Sequence, residues 1–455
     1  MPLSVKETDL TSTPRQCLGD VLLGRLFKNA GVLFCGNMVA SMLGLASLAL
    51  TARALGVEQF GILVLITTYA VVVDRLVNFQ SWQALIKYGA ESLEKKNYED
   101  FRSLVKFGFI LDATSAVLGT IIAVCAAWFF GQWRGWDEHL IIMVCLYSLT
   151  ILFHIRGTPT AILRLYGRFS RIACQNIIAY SLLLLGVSIA FVLGEGLWLF
   201  LLAWAMADIL GKLVIIYFGF VELARQEIVN VFSSSIKNIR QKFNGIWGFV
   251  WATNINSSLR SSIREVDILI IGVLLGPAGA GLFKIVKSAA LILGKIADPL
   301  YEAIYPETAR LITGGRYVQF KSYALRASII SGGAALLFLA GAAISGEWVI
   351  MVVLGNEYLD AYAPMLVYIV AYVVWMFAYP LSATILSFGM PYVNLGILAA
   401  SLLIYFPALI YLVGAWGLIG ASVATVIFYL FWAICMLGIV MSEYRKRIKF
   451  AGFND

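Results

Sequence analysis

Long apolar runs separated by short polar stretches dominate the chain. About twelve runs have the length of roughly 20 residues that a helix needs to cross a bilayer. Their approximate limits are 30–53, 59–80, 105–130, 139–157, 173–194, 196–220, 246–275, 279–300, 325–345, 363–388, 392–414 and 417–441. The pattern predicts an all-α polytopic membrane protein with about twelve transmembrane helices and no soluble domain on either face.

Composition supports a membrane protein and argues against a nucleic-acid-binding protein. Of the 455 residues, 61% are hydrophobic and only 13% are charged, and the mean hydropathy is +0.86. Soluble proteins have about 25% charged residues. A net charge of +8 is compatible with nucleic-acid binding, but most of the basic residues lie in short loops between membrane spans, so we expect no nucleic-acid partner. The polar first 29 residues predict a cytoplasmic segment rather than a cleaved signal peptide.

Basic residues are distributed unequally between the alternating loops. About 24 Lys and Arg residues fall on one side of the predicted membrane, whereas the other side holds only Arg53 and Arg134. Basic loops stay in the cytoplasm. The predicted location is therefore a bacterial cytoplasmic (inner) membrane, with multiple passes and with both termini in the cytoplasm.

Two halves of the chain repeat each other weakly. LTARALGVEQFGIL (50–63) aligns with IIGVLLGPAGAGLF (270–283), and NYEDFRS (97–103) aligns with RYVQFKS (316–322), at offsets of 219 to 220 residues. The repeat predicts two pseudo-symmetric lobes of six helices each, running in the same direction through the membrane. The expected segments are an N-terminal segment 1–29, an N-lobe 30–222, a linker 223–245 expected to form an amphipathic cytoplasmic helix, a C-lobe 246–441 and a basic tail 442–455.

Cations inside predicted spans are the candidate functional residues. Span seven carries Arg260 and Arg264 on one helix face, span eight carries Lys284, Lys287 and Lys295, and the first lobe has Arg75 at the position of Lys295. A charge in mid-bilayer costs about 2.5–3.5 kcal/mol on insertion scales, so such residues face a partner or a cavity. We expect them to line a cavity between the lobes and to bind a phosphate-bearing anion, which guanidinium and ammonium groups favour.

Nearby acids offer an alternative explanation. Glu265, Asp267, Asp298 and Asp74 are candidate charge partners, and a set of internal ion pairs that stabilises packing accounts for the same residues. The six cysteines include no CxxC pair, and the chain has no GxxxxGK[ST] loop. The sequence therefore predicts no metal site, no cofactor and no catalytic residues.

The glycine and aromatic spacings resemble a known family. The residues that carry the resemblance are LTARALGVEQFGIL (50–63) and the stretches 266–311, 352–366 and 387–427. They are similar to Wzx-type polysaccharide biosynthesis flippases, which export O-antigen or capsule repeat units and belong to the multidrug/oligosaccharidyl-lipid/polysaccharide superfamily. The resemblance implies a MATE-like fold with a central cavity, and cations on the first two helices of each lobe that engage pyrophosphate.

The same resemblance implies the substrate and the partners. The substrate is an oligosaccharide linked to undecaprenyl pyrophosphate, moved from the inner to the outer leaflet for O-antigen, capsule or exopolysaccharide synthesis. Membrane lipid, a polysaccharide polymerase and a chain-length regulator are the other implied partners. Two alternatives stay open: a cation-coupled multidrug exporter of the same fold, and a membrane-bound polysaccharide-assembly enzyme.

The charge pattern predicts topology directly. A green fluorescent protein fused after Asp455 should fluoresce, and alkaline phosphatase at the same place should be inactive. Alkaline phosphatase inserted at Gly135 should be active, because that loop is predicted to lie outside. The opposite result at either position would contradict the predicted orientation.

Overall fold

The structure is a computed structural model made of helices joined by short connections. It describes residues 15–79, 81–134, 136–194 and 196–450, without the side chains of 15–30, 134, 256–264, 296–303, 305, 306, 391, 449 and 450. Its helices are α1 Arg15–Val77, α2 Ser81–Glu94, α3 Tyr98–Arg134, α4 Glu138–Ser148, α5 Gly157–Leu165, α6 Phe169–Leu193, α7 Leu197–Arg225, α8 Ile239–Lys242, α9 Ile246–Thr313, α10 Tyr317–Val353, α11 Tyr362–Ser387 and α12 Pro391–Phe450. Short 3₁₀ helices at Leu149–Phe153, Val231–Ser233 and Asn356–Ala361 complete them.

Three long helices contain a glycine kink and each covers two predicted spans. The kinks lie at Gly56 in α1, Gly276 in α9 and Gly417 in α12, all with positive φ. Glycine adopts this backbone conformation without the steric cost that other residues meet. Nine helices of the described residues are long and apolar enough to cross a membrane, and the kinked helices account for the difference from the twelve runs in the sequence.

The internal repeat predicted from the sequence is visible in the backbone. Gly56 has φ 69° and ψ 172°, and Gly276, 220 residues later, has φ 77° and ψ −178°. The two aligned loop motifs both lead into helices of 37 residues, α3 and α10. The all-α fold with two pseudo-symmetric lobes is thereby confirmed.

The lobes meet where the repeated glycines lie. A Cβ atom on Gly281 would stand 3.0 Å from the Cα of Gly61, so the second halves of α1 and α9 approach each other closely. Nearby, the Tyr358 hydroxyl donates to the carbonyl of Ala52 at 2.7 Å, and Arg53 donates to the carbonyl of Val352 at 2.8 Å. These contacts join the lobes at the end that the charge pattern predicts to face outward.

The prediction of an amphipathic helix in the linker was wrong. After α7 ends at Arg225, the chain forms only a 3₁₀ turn and the four-residue α8 before α9 begins. Glu227, Asn230 and Asn238 have positive φ, which interrupts any continuous helix. Apolar side chains from this stretch, Ile228 and Val231, are buried against the first lobe, so packing rather than helix amphipathicity fixes the linker.

Interface glycines should be intolerant of added atoms. A Cβ at Gly61 would overlap the carbonyl oxygen of Pro277, so Gly61→Ala should destabilise the protein by about 1–3 kcal/mol, the usual cost of overpacking. Gly341→Ala is the matched control, because a Cβ there meets open space. Thermal unfolding of the purified variants in detergent measures the difference. Equal melting temperatures would contradict the close packing.

Candidate functional site

A polar cavity of about 370 Å³ lies mainly inside the first lobe. The second half of α1, the 3₁₀ helix after α4, α6 and α7 supply most of its wall. Among the described residues, only Glu265 and Lys284 reach it from the second lobe. The sequence predicted a cavity between the lobes, lined mainly by cations of the second lobe, whereas most of the described wall comes from the first lobe.

Two of the predicted cations meet at the edge of this cavity. Arg75 comes from α1 in the first lobe and Lys284 from α9 in the second, and both line the cavity. Glu265 lies between them, with its carboxylate 3.8 Å from the guanidinium of Arg75 and 3.9 Å from Lys284 Nζ. The three side chains are 35%, 27% and 21% exposed for Arg75, Lys284 and Glu265 respectively. An anion that enters the cavity can therefore reach both cations.

Lys287 has a different environment from the one expected. Its ammonium group donates to both carboxylate oxygens of Asp267, at 2.7 and 2.8 Å, and Tyr405 donates to the same carboxylate at 3.3 Å. All three residues are buried within the second lobe, and none of them lines the cavity. For this lysine the alternative explanation, an internal ion pair that stabilises packing, fits the geometry.

The other predicted cations do not contribute to the described site. Lys295 is exposed and is absent from the cavity wall. Arg260, Arg264 and Asp298 lie outside the described side chains, so their proposed roles stay predictions.

Asp74 pairs with His154, which the sequence did not place among the site residues. Its carboxylate lies 2.6 Å from His154 Nδ1, and Asn78 donates to the same carboxylate at 3.3 Å. Arg156 Nε donates to His154 Nε2 at 3.0 Å, so Nε2 accepts and Nδ1 carries the proton that points at Asp74. Asp74 was expected next to Arg75 as its neutralising partner. No spacing rule relates Asp74 to His154, which follows α4, and only the fold brings the two together.

A second pair in the cavity wall lies within one helix, at the four-residue spacing that allows two side chains to pair. Lys212 donates to Asp208 at 2.6 Å, one helical turn away on α7, and also to the carbonyl of Thr150 at 3.1 Å. The described wall thus contains four cations, Arg75, Arg156, Lys212 and Lys284, and three carboxylates, Asp74, Asp208 and Glu265. The positive excess is small, and it depends on the residues at the lobe boundary.

Comparison with known proteins identifies the family. Residues 26–312 match the model of the polysaccharide biosynthesis protein family. The chain belongs to this family. The relative "Inner membrane protein YghQ" of Escherichia coli (strain K12) is 31% identical over 337 residues, which are 74% of this chain and 94% of that protein. The family resemblance in the sequence is confirmed.

Solved structures share the fold at low identity. The inward-facing conformation of a multidrug resistance MATE family transporter of the MOP superfamily matches with a TM-score of 0.71 and 16% identity, covering 90% of this chain and 96% of that one. A MOP superfamily transporter from Pyrococcus furiosus, whose report infers a different function from the reverse polarity of its binding pocket, matches with a TM-score of 0.56 and 14% identity, covering 94% and 96%. This protein therefore has the fold of MATE-type transporters.

The buried pair in the second lobe should be structural. Lys287→Met removes the cation that faces Asp267 and should cost about 3–5 kcal/mol of stability, the usual effect of breaking a buried ion pair. Asp267→Asn combined with Lys287→Met should cost much less, because no buried charge is left uncompensated. Tyr405→Phe, which removes one 3.3 Å hydrogen bond, is the mild control. Melting temperatures that are equal for the single and double variants would contradict this assignment.

Proposed function

We propose that this protein is a flippase that moves oligosaccharide units linked to undecaprenyl pyrophosphate from the inner to the outer leaflet of a bacterial cytoplasmic membrane. The product would serve surface polysaccharide synthesis. Membership of the polysaccharide biosynthesis family and the MATE-type fold support transport of a polysaccharide precursor. The observation that carries the proposal is the meeting of Arg75 and Lys284, from opposite lobes, at the edge of a polar cavity.

The chemistry of these two cations suits a pyrophosphate group. Arginine presents a planar fork that can hold a phosphate through two parallel hydrogen bonds, and lysine adds a compact positive charge. The cavity beside them has amide and aromatic side chains, Asn176, Gln175 and Trp204, that can accept the hydroxyl groups and ring faces of a sugar. The prenyl chain would stay in the lipid beside the lobes. Arg260 and Arg264 remain additional candidates for the head group.

Transport requires the lobes to separate at the end where they now touch. The hydrogen bonds from Tyr358 to Ala52 and from Arg53 to Val352 hold that end together. We infer that substrate enters the cavity from the cytoplasmic side and that rocking of the lobes breaks these contacts on release. Both termini would stay in the cytoplasm throughout, and a polysaccharide polymerase and chain-length regulator would use the product.

One observation favours a second function, a cation-coupled multidrug exporter. Such a protein is expected to have acidic residues in the first lobe, and Asp74 and Asp208 do line the cavity. Each of these acids, however, has a close basic or histidine partner at 2.6 Å. Both are therefore less available to a cationic drug, and this favours the flippase. Drug susceptibility of cells with and without the protein separates the two functions.

Loss of either boundary cation, Arg75 or Lys284, should strongly reduce export. Arg75→Gln and Lys284→Gln should each reduce surface polysaccharide about 10- to 100-fold, since a hydrogen bond to a charged group contributes about 1.5–3 kcal/mol. The assay is complementation of a strain that lacks the gene, with the lipid-linked unit measured in the inner leaflet. Lys95→Gln is the matched control, because Lys95 is exposed on α2 and pairs with Glu91 on its own helix. Normal export by both cavity variants would overturn the proposal.

A further inference from the structure

Glu265 occupies the place that a bound anion would need. It lies on α9 before the kink at Gly276, whereas Lys284 lies after the kink and Arg75 lies on the other lobe. Its two carboxylate oxygens divide between these cations, Oε1 towards Arg75 at 3.8 Å and Oε2 towards Lys284 at 3.9 Å. Among the described residues, it is the single carboxylate of the second lobe in the cavity wall. The negative charge between Arg75 and Lys284 is therefore a side chain of the protein, Glu265.

The contacts of Glu265 are loose enough to be exchanged. Both distances exceed the range of a hydrogen bond, and all three side chains are partly exposed to the cavity. Neither contact is a hydrogen bond, so Glu265 loses less when it leaves than a closely paired carboxylate would. The buried pair of Lys287 and Asp267 in the same lobe is the contrast, because its atoms approach to 2.7 Å. A ligand that offers more negative charge than one carboxylate can replace Glu265 without breaking a buried contact.

We propose that Glu265 is an internal counter-anion that neutralises Arg75 and Lys284 in the empty protein and is displaced by the phosphorylated head group of the substrate. This inference rests on the proposed function and adds to it an explanation of which lipid head groups the site selects. Neutral lipids and singly charged head groups gain too little to displace a carboxylate that is already in place. A diphosphate carries more charge and more acceptor oxygens, so it competes successfully.

The return of Glu265 completes the cycle. The displaced carboxylate stays close to the cations and competes with the head group for them, which favours release. An internal competitor lowers the apparent affinity for the ligand by the fraction of time that it occupies the site. Removing the competitor should therefore tighten binding, whereas removal of an ordinary binding residue weakens it. This opposite sign is the distinctive consequence of the inference.

The test measures binding of inorganic pyrophosphate to the full chain in detergent by isothermal titration calorimetry. Glu265→Gln keeps the length of the side chain and removes its charge, and it should bind pyrophosphate about tenfold more tightly than the unaltered protein. Glu347→Gln is the matched control, because Glu347 is exposed on α10 outside the cavity. It removes the same charge and should leave the affinity unchanged. Unchanged or weaker binding by the Glu265 variant would overturn the inference.

A variant cycle separates local competition from a general change of charge or fold. In a background with Arg75→Gln and Lys284→Gln, adding Glu265→Gln should give no gain, because the cations that it neutralises are gone. A gain that persists in this background overturns the inference. If the unaltered protein binds pyrophosphate and needs both cations, but Glu265→Gln binds no better, the inference fails while the proposed function stands. If the unaltered protein does not bind, both fail.

A second arm distinguishes the source of the phosphate. The same proteins in lipid nanodiscs that contain a polyprenyl pyrophosphate should bind the lipid more tightly than soluble pyrophosphate, with the same gain in Glu265→Gln. A gain for soluble pyrophosphate alone would keep the role of Glu265 and overturn the assignment of a lipid-linked substrate.

Discussion

Every charge placed inside the apolar part of this protein must be neutralised or reach a polar space, and this constraint organises the structure. Two groups among the described residues illustrate how the chain satisfies it. Lys287 and Asp267 form a close, buried pair within the second lobe. Arg75, Glu265 and Lys284 form a loose, partly exposed group across the lobe boundary. A buried pair resists exchange of one partner for another ion, because separating it leaves a buried charge uncompensated. The loose group has no such close contact to break.

The fold could be predicted from the sequence because its signals are local. Apolar runs of sufficient length predict membrane helices one at a time, and the repeated glycines predict two related lobes. Gly56 and Gly276 then adopt nearly the same backbone angles. The linker could not be predicted in the same way. Its conformation follows from the burial of Ile228 and Val231 against the first lobe, which is a long-range contact with no periodic pattern.

The site was only partly predictable from the sequence. The role of a cation depends on whether its face of the helix is turned towards the cavity or towards a neighbouring helix. Lys284 and Lys287 are three residues apart, so their side chains differ by about 60° around the axis of α9. That small rotation turns Lys284 towards the cavity and Lys287 into the lobe, beside Asp267. The pairing of Asp74 with His154 joins two separate segments. Neither result follows from spacing along one helix.

The two lobes have similar backbones but different side chains in their interiors. This difference explains why the cavity lies mainly in the first lobe. The repeat places Gly294 of the second lobe at the position of Asp74, and Lys295 at that of Arg75. A Cβ on Gly294 would lie 3.9 Å from the ring of Tyr372, so an aromatic side chain lies close to the position where the first lobe carries a carboxylate. Tyr372 continues into a group of rings with Tyr368 and Trp375 that packs in the second lobe. The first lobe therefore offers polar space for a hydrophilic group, while the second contributes Lys284 and Glu265 to its wall, so the charged lining of the cavity comes from both lobes.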